Sequence, residues 1–328
     1  MGSLRPVIHL RIVLEPDKTE RALELLERSH SVCNVIHLPG AARSPAGDVV
    51  LADVAREDAS VIISDLKDLG VHHEGAITVE PIETQLSTAA QAAERRAAGA
   101  PADAVIWEEV VDRTSEESTL SATFVLFMIL AMLIATVGIF LDSPILIVGA
   151  MVVGPEFGPI AATCVALVQR QPHLAARSII ALVLGFPIGI TAAVATTWVL
   201  KETGVTPAHF TAANHSLADS IANPDFLAFF VAFCAGIAGM LSLTTAKSGA
   251  LIGVLVSVTT IPAAANIAVA FVYGDWSSWR GSQEQLLLNI AGIHIAGVLT
   301  LLVQRALYVR RRARHRERMR ARGIEGAA

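Results

Sequence analysis

The sequence predicts an α-helical polytopic membrane bundle of about six spanning or partly broken helices, with an N-terminal α+β domain of the ferredoxin-like (βαββαβ) class. Three observations predict this class. The 328-residue chain is 53% hydrophobic and only 17% charged, with a mean hydropathy of +0.55, which exceeds what soluble domains of this length usually show. The charge is unevenly divided, because residues 1–119 carry a net −10 and residues 120–328 a net +5. Finally, six long apolar segments lie in the second part.

The N-terminal part reads as strand, helix, strand, strand, helix, strand over residues 6–82. Apolar and other residues alternate in Val7–Leu14, the period of a strand with one buried face, and Pro16 suits the first turn of the helix that follows. This order predicts a ferredoxin-like domain. Further strands are expected at residues 32–38, 49–54 and 76–82, a loop at 39–47 and a second helix at 58–69.

We expect four parts along the chain. They are a ferredoxin-like cytoplasmic domain at residues 1–84, a linker and juxtamembrane helix at 85–119, a transmembrane domain at 120–309 and a basic cytoplasmic tail at 310–328. Imidazole, guanidinium and carboxylate groups of the first domain could hold a ligand, although a solvated sheet face is the simpler interpretation. These groups belong to His9, Arg11, His37, His72, His73 and Glu80.

No metal site is predicted and the cofactor stays unknown, since Cys33, Cys164 and Cys234 lie far apart in sequence and form no CxxC motif. Enzymatic motifs such as GxSxG, HExxH and the Walker-type loop are absent from the sequence. The chain is therefore not expected to be an enzyme.

The six apolar segments lie at residues 120–141, 144–168, 177–200, 226–246, 248–273 and 285–307. An even number of spans leaves both termini on one side. If that side is the cytoplasm, the inner loops hold Arg170, Arg177, Lys247 and the arginine-rich tail, as the positive-inside bias requires. Trp198, Tyr273, Trp276 and Trp279 then fall at the outer boundary. The basic tail favours anionic lipid, and no nucleic acid partner is expected.

The second segment carries the main candidate site. Gly154, Pro155, Gly158 and Pro159 surround Glu156, the only Asp, Glu, Lys or Arg deep inside any segment. Each proline removes a backbone donor, and such non-helical backbone is tolerated in a membrane only against protein, water or an ion. An ionised glutamate there is costly unless it pairs, binds a cation or takes up a proton. The alternative is a structural glutamate bonded to a neighbouring helix.

The fifth segment resembles the second, because it is interrupted by Pro262 and is polar in its middle half. An offset of 103 residues places Pro159 on Pro262. Segments one to three and four to six would then form an inverted repeat with paired broken helices, a recurring plan among transporters. The remaining candidate pathway residues are Ser257, Thr259, Thr260 and Asn266 in segment five, and Asn289 and His294 in segment six.

The run from residue 141 to residue 160 resembles the bacterial "uncharacterised hydrophobic domain" membrane proteins, the domain of unknown function family 389. Its most specific part is Gly149-Ala150-Met151 followed by two Gly-Pro pairs. The resemblance continues through residues 247–253, 261–262 and Asn289, and covers approximately residues 110–305. It implies a bacterial inner-membrane protein with a soluble N-terminal domain, whereas the family name assigns no activity.

The leading functional hypothesis is a bacterial inner-membrane transporter or channel for a small solute or ion, with a cytoplasmic regulatory or oligomerisation domain. The expected partners are the lipid bilayer, the transported solute or ion, and a second copy of the chain, because small-residue faces such as Gly185 and Gly189 favour helix association. One alternative is a non-transporting membrane-anchored sensor or scaffold. Another is an intramembrane enzyme that uses Glu156 and His294, which requires the two within hydrogen-bond reach.

Overall fold

The computed structural model describes residues 7–82, 87–97, 104–245 and 260–320. Two compact units are present. The sheet unit holds the described residues up to 110, residues 244–245 and residues 304–320. The helical unit holds residues 111–243 and 260–303. The candidate residues Ser257 and Thr259 lie outside the described residues.

The sheet unit contains a four-stranded antiparallel sheet with the strand order β2-β3-β1-β4. The predicted alternation in β1 is confirmed, because Ile8, Leu10, Ile12 and Leu14 are at most 1% exposed. They form one core with apolar residues of α1 and α2. The elements are β1 (Val7–Leu14), α1 (Pro16–Arg28), β2 (Val32–Arg43), β3 (Ala46–Ala55), α2 (Arg56–Asp68), α3 (Val71–Glu74) and β4 (Ala76–Ile82).

The predicted loop at residues 39–47 is wrong, because β2 continues to Arg43 and β3 begins at Ala46. Gly40, in this segment, helps to hold β2 against β3. Gly40 adopts φ 61°, in the left-handed region, and its N–H donates to Asp48 Oδ1 at 2.8 Å. Register shifts on either side of residues 36–38 allow the irregular strand to stay paired.

Two helices follow the sheet in sequence, α4 (Thr88–Arg96) and α5 (Trp107–Glu117). The first turns of α5 pack in the sheet unit, where Glu108 pairs with Lys67 at 2.9 Å and Glu109 with Arg56 at 3.2 Å. The same unit holds the last part of the final helix, whose Gln304 donates to Thr244 Oγ1 at 2.8 Å.

Where the structure describes them, the predicted membrane segments are helical apart from residues 154–156 and a few residues at their ends. The helices are α6 (Ala122–Phe140), α7 (Pro144–Val153), α8 (Phe157–Gln169), α9 (Pro172–Glu202), α10 (Ser216–Ala222), α11 (Phe226–Thr244), α12 (Thr260–Tyr273) and α13 (Trp276–Arg320). Among the described residues, α6, α9, α11 and α13 are each long and apolar enough to cross a membrane. The pair α7 and α8, bent by 49°, makes up to five spans, and α12 is a shorter apolar helix.

Polar contacts at the two ends of the helical unit hold its helices in register. At one end Arg177 of α9 donates to Ser115 Oγ at 2.9 Å and to Ser118 Oγ at 3.3 Å. At the other end Asp142 accepts from the Leu217 N–H and the Ser216 hydroxyl, both at 2.9 Å. These two donors lower the pKa of the Asp142 carboxyl from its ordinary value.

The three cysteines are unpaired thiols in different surroundings. Cys33 is half-buried in β2, Cys164 is buried in α8, and Cys234 is exposed on α11. Burial, with the nearby Asp53 and Glu94 carboxylates, raises the pKa of the Cys33 thiol to about 11.

Candidate functional site

The predicted interruption of the second segment is confirmed, and it is confined to three residues. The helix α7 ends at Val153, and the Gly154 N–H still donates to the Ala150 carbonyl at 3.0 Å. Gly154 itself is extended, the conformation favoured before a proline. Since Pro155 has no N–H to donate, the ladder stops there and restarts with Phe157. Gly158 and Pro159 lie in the first turn of α8.

Glu156 is the residue that precedes α8, and its side chain turns inward. It is 6% exposed. Its Oε1 accepts a hydrogen bond of 2.6 Å from the Thr260 hydroxyl, whereas its Oε2 has no partner among the described residues. A buried carboxylate oxygen without a partner is costly. With respect to the described residues, this oxygen therefore keeps an unused capacity to take up a proton or to accept a hydrogen bond.

Gly154 allows the close approach on which this site depends. A Cβ atom at residue 154 would meet Glu156 Oε2 and would lie 2.7 Å from Cγ1 of Ile261. The structure thus brings together Gly154, Glu156 and Thr260, from two segments more than a hundred residues apart. The start of α8 also lies near the end of α5, because a Cβ at Gly158 would be 3.0 Å from the Glu117 carbonyl oxygen.

The helices α8 and α12 run in opposite directions from the Glu156–Thr260 contact. The first leads directly into the start of α9 through Arg170. The second ends beside the last turn of α9, where Lys201 Nζ donates to the Val272 carbonyl at 3.2 Å. Both helices are almost wholly buried along their described length.

A second polar cluster involves Asn266 of α12. This side chain is 1% exposed, and its amide donates to Ser282 Oγ at 2.8 Å and toward the Ala218 carbonyl at 3.5 Å. Asn266 Oδ1 has no partner among the residues that the structure describes. On α13, Gln285 donates to Asn289 Oδ1 at 3.1 Å.

Ser282 and Gln285 were not predicted as site residues. Their signal was present in the sequence, because Ser282, Gln285 and Asn289 follow one another at spacings of three and four, which places them on one helix face. Ser282 lies before the predicted start of segment six and Gln285 is its first residue, and the sequence does not show which neighbouring helix this face meets.

His294 is not joined to Glu156. Its Nδ1 lies 2.8 Å from the Ile290 carbonyl of its own helix, and Cys164 Sγ lies 3.8 Å from the His294 carbonyl oxygen. Neither contact reaches the break, so these contacts do not bring the two side chains together as the enzyme alternative requires.

Two of the histidines singled out in the sheet unit pair with aspartates of β3. His9 Nδ1 lies 2.7 Å from Asp53 Oδ1, and His37 Nε2 lies 3.1 Å from Asp48 Oδ2. Within the described ranges, no group of three or more His, Cys, Asp or Glu side chains is arranged to hold a metal ion.

Comparison with known proteins gives a family without an assigned activity. The model of the family described as "Domain of unknown function (DUF389)" matches residues 151–295, so the family predicted from the sequence is confirmed. An uncharacterized protein of Methanocaldococcus jannaschii is 25% identical over 203 residues, which cover 60% of this chain and 58% of that protein. This relative is archaeal, and the bacterial assignment stays a prediction. No solved structure matches the chain.

Proposed function

Because residues 151–295 belong to the DUF389 family, whose description leaves the activity open, we propose a function from the geometry of the helical unit. The protein is a membrane transporter or channel for a small solute or ion. The pathway passes the break between α7 and α8 and the start of the described part of α12. The lining residues are those predicted from the sequence on these helices, with Asn289 on α13.

The observation that carries the proposal is the buried Glu156 carboxyl group. One of its oxygens bonds to Thr260 on the other interrupted segment, and the second is without a partner among the described residues. A structural glutamate would be expected to satisfy both oxygens, since a half-satisfied buried network is less stable than an apolar core. An open carboxylate position at a helix break is instead suited to a passing proton, cation or polar solute.

A correspondence between the two halves of the helical unit supports the same proposal. The helices α6 and α11 each have 19 residues and begin 104 positions apart, as do α9 and α13. Ser121 caps α6 by accepting from the Phe124 N–H, and Asp225 accepts from the Ala228 N–H at the start of α11.

The ends of the two buried half-helices correspond as well. Arg170 follows α8 with φ 58° and Gly274 follows α12 with φ 71°. The N–H of the next residue bonds back to Ala166 in the first case and to Ala270 in the second. We propose that the two halves are copies in opposite orientations, which meet at Glu156 and Thr260.

We also propose a membrane orientation and a class for the sheet unit. The basic end of the helical unit, with Arg170 and Arg177, faces the cytoplasm of a bacterial inner membrane, together with both termini. The strand order β2-β3-β1-β4 with helices between β1 and β2 and between β3 and β4 supports a ferredoxin-like domain. Homo-oligomerisation through small-residue faces stays part of this proposal.

The proposal is tested by flux into liposomes that contain the purified full-length protein. Two probes are followed, protons with an internal pH dye and the uncharged solute lactamide by light scattering. We expect Glu156→Gln and Asn266→Ala to change the protein-dependent rate of at least one probe about five-fold or more. The exposed Glu202→Gln variant is the control and should match the wild type. Unchanged rates in both site variants would contradict the assignment.

A second candidate function, a membrane-anchored sensor or scaffold, is favoured by one set of contacts in the sheet unit. Arg312 donates to Asp68 Oδ2 at 2.6 Å and Arg311 to the Glu57 carbonyl at 2.7 Å, and both arginines belong to the helix that carries Gln285 and Asn289. If this function is correct, Asp68→Asn should weaken partner or ligand binding by the sheet unit, and no variant should show protein-dependent flux.

A further inference from the structure

A cavity of about 320 Å³ lies in the helical unit between α10, α11, α12 and α13. Its volume is at the lower end of the range of small-molecule sites, roughly 300 to 1,000 Å³. Pro262 of α12 lines it, two residues beyond the threonine that bonds to Glu156. The cavity therefore reaches the interrupted segment from the side of α10.

The polar groups of this cavity come mainly from one wall. Gln285 and Asn289 lie one turn apart on α13, are 3% and 1% exposed, and both line the cavity. The facing wall is apolar and includes Leu227 and Val231 of α11. Gln285 donates to Asn289 Oδ1 at 3.1 Å, and an amide side chain can take part in up to about four hydrogen bonds.

The polar stripe continues beyond the cavity toward a third buried amide, that of Asn266. Ser282, three residues before Gln285, accepts a hydrogen bond from Asn266. The carbonyl oxygen of that asparagine has no partner among the described residues. The carbonyl oxygen of Asn266 on α12 could thus accept a hydrogen bond beyond the cavity.

The charge of the lining restricts what the cavity can hold. Among the described residues that line it, none has an acidic or basic side chain. A charged solute would lose its hydration there without gaining an opposite charge. An amide side chain, in contrast, offers both donors and acceptors, which match a group of the same dual character.

We infer that this cavity binds a small uncharged solute with a short apolar body and one group that both donates and accepts hydrogen bonds, such as a carboxamide. The inference rests on the proposed function, because it names the solute class of the same pathway. The apolar body would contact α11, and the polar group would contact Gln285 and Asn289.

The test is a binding measurement on the purified full-length protein in detergent, by saturation-transfer NMR with empty micelles as the blank. The probes are isobutyramide, isobutyrate and isobutylammonium, which share one apolar body and differ in charge. We expect saturable binding of isobutyramide and at least about five-fold weaker binding of both ions.

Three variants show whether the binding occurs in this cavity. Gln285→Leu should weaken isobutyramide binding at least about five-fold by removing an amide, and Ala228→Leu should abolish it by filling the space while keeping both amides. The exposed Asn214→Leu, outside the cavity lining, should bind as the wild type does. Thermal unfolding of each variant verifies that it is folded.

Several outcomes would overturn the inference: no saturable binding of isobutyramide, equal binding of either ion, or unchanged binding in both cavity variants. Because binding and not flux is measured, these outcomes leave the flux test of Glu156 unaffected. Conversely, unaltered flux in Glu156→Gln would contradict the proposed function without changing the result for the cavity.

Discussion

Glu156 and Thr260 share a hydrogen bond of 2.6 Å although they lie 104 positions apart in the chain. Glu156 immediately precedes α8, Thr260 is the first described residue of α12, and the two buried apolar helices lead away from the contact in opposite directions. This polar contact therefore joins the two interrupted segments of the helical unit. A substitution at either residue should affect the packing of both segments.

The hydroxyl group of Thr260 is expected to stabilise the fold through this contact. Thr260→Val keeps the shape of the side chain but leaves Glu156 Oε1 without its donor, which should lower the free energy of unfolding by about 1–3 kcal/mol. Thr260→Ser restores the donor and should recover most of the loss. Thermal unfolding in detergent measures both, and equal midpoints for the valine and serine variants would count against the role of the hydroxyl.

Gly154 and Gly149 form a matched pair in the α7 region. A Cβ at Gly154 would press on Ile261 and on the Glu156 carboxyl, whereas a Cβ at Gly149 meets nothing within 4 Å. Gly154→Ala should therefore lose about 1–3 kcal/mol of stability, and Gly149→Ala should be neutral or gain up to about 1 kcal/mol. The unfolding midpoints of the two variants check this. An unchanged midpoint for Gly154→Ala would show that Gly154 does not approach Glu156 and Ile261 as closely as described.

Glu57 of the sheet unit should make stability depend on pH. It is 3% exposed, both carboxylate oxygens are without partners among the described residues, and burial raises its pKa above the ordinary 4.5. Because the folded state resists ionisation, stability should fall as the pH rises from about 4.5 through the raised pKa.

The variant Glu57→Gln removes this cost. At pH 7 it should be more stable than the wild type, and near pH 4 the difference should vanish. Unfolding of the sheet unit at both pH values, with exposed Glu27→Gln as the control, measures the effect. A gain that is the same at pH 4 and pH 7 would exclude ionisation as its cause.

Asp142 should show the opposite dependence. Its pKa is lowered by the Leu217 N–H and by the Ser216 hydroxyl, so its stabilising effect is complete above the ordinary value of 3.8 and is lost as the pH falls through the lowered pKa. Asp142→Asn should lower the unfolding midpoint at pH 7 and converge with the wild type under acid conditions. Asp219→Asn, on the same surface, provides the comparison.

Local features of the fold were predictable from the sequence, and long-range pairings were not. The buried face of β1 follows from the two-residue period of side chains along a strand. The break at Pro155 follows from its missing N–H. The extent of β2 depends instead on a hydrogen bond between Gly40 and Asp48, which only the paired strands create.

The candidate site shows the same division. Glu156 stood out because a lone acidic residue in an apolar segment is unusual, and Thr260 was included because its segment also contains a proline. Gln285 and Ser282 were missed because their importance depends on which face of α13 turns toward α12. That orientation results from helix packing, which residue spacing alone does not determine.

The surroundings of the three cysteines make the chain a suitable background for selective thiol labelling. Maleimides react with thiolates, so the raised pKa of Cys33 slows its reaction and burial protects Cys164. Cys234 is exposed near the middle of α11, a helix apolar enough to cross a membrane, where its thiol would face lipid. A cysteine introduced at a water-exposed position should therefore react first, without replacement of the three native ones.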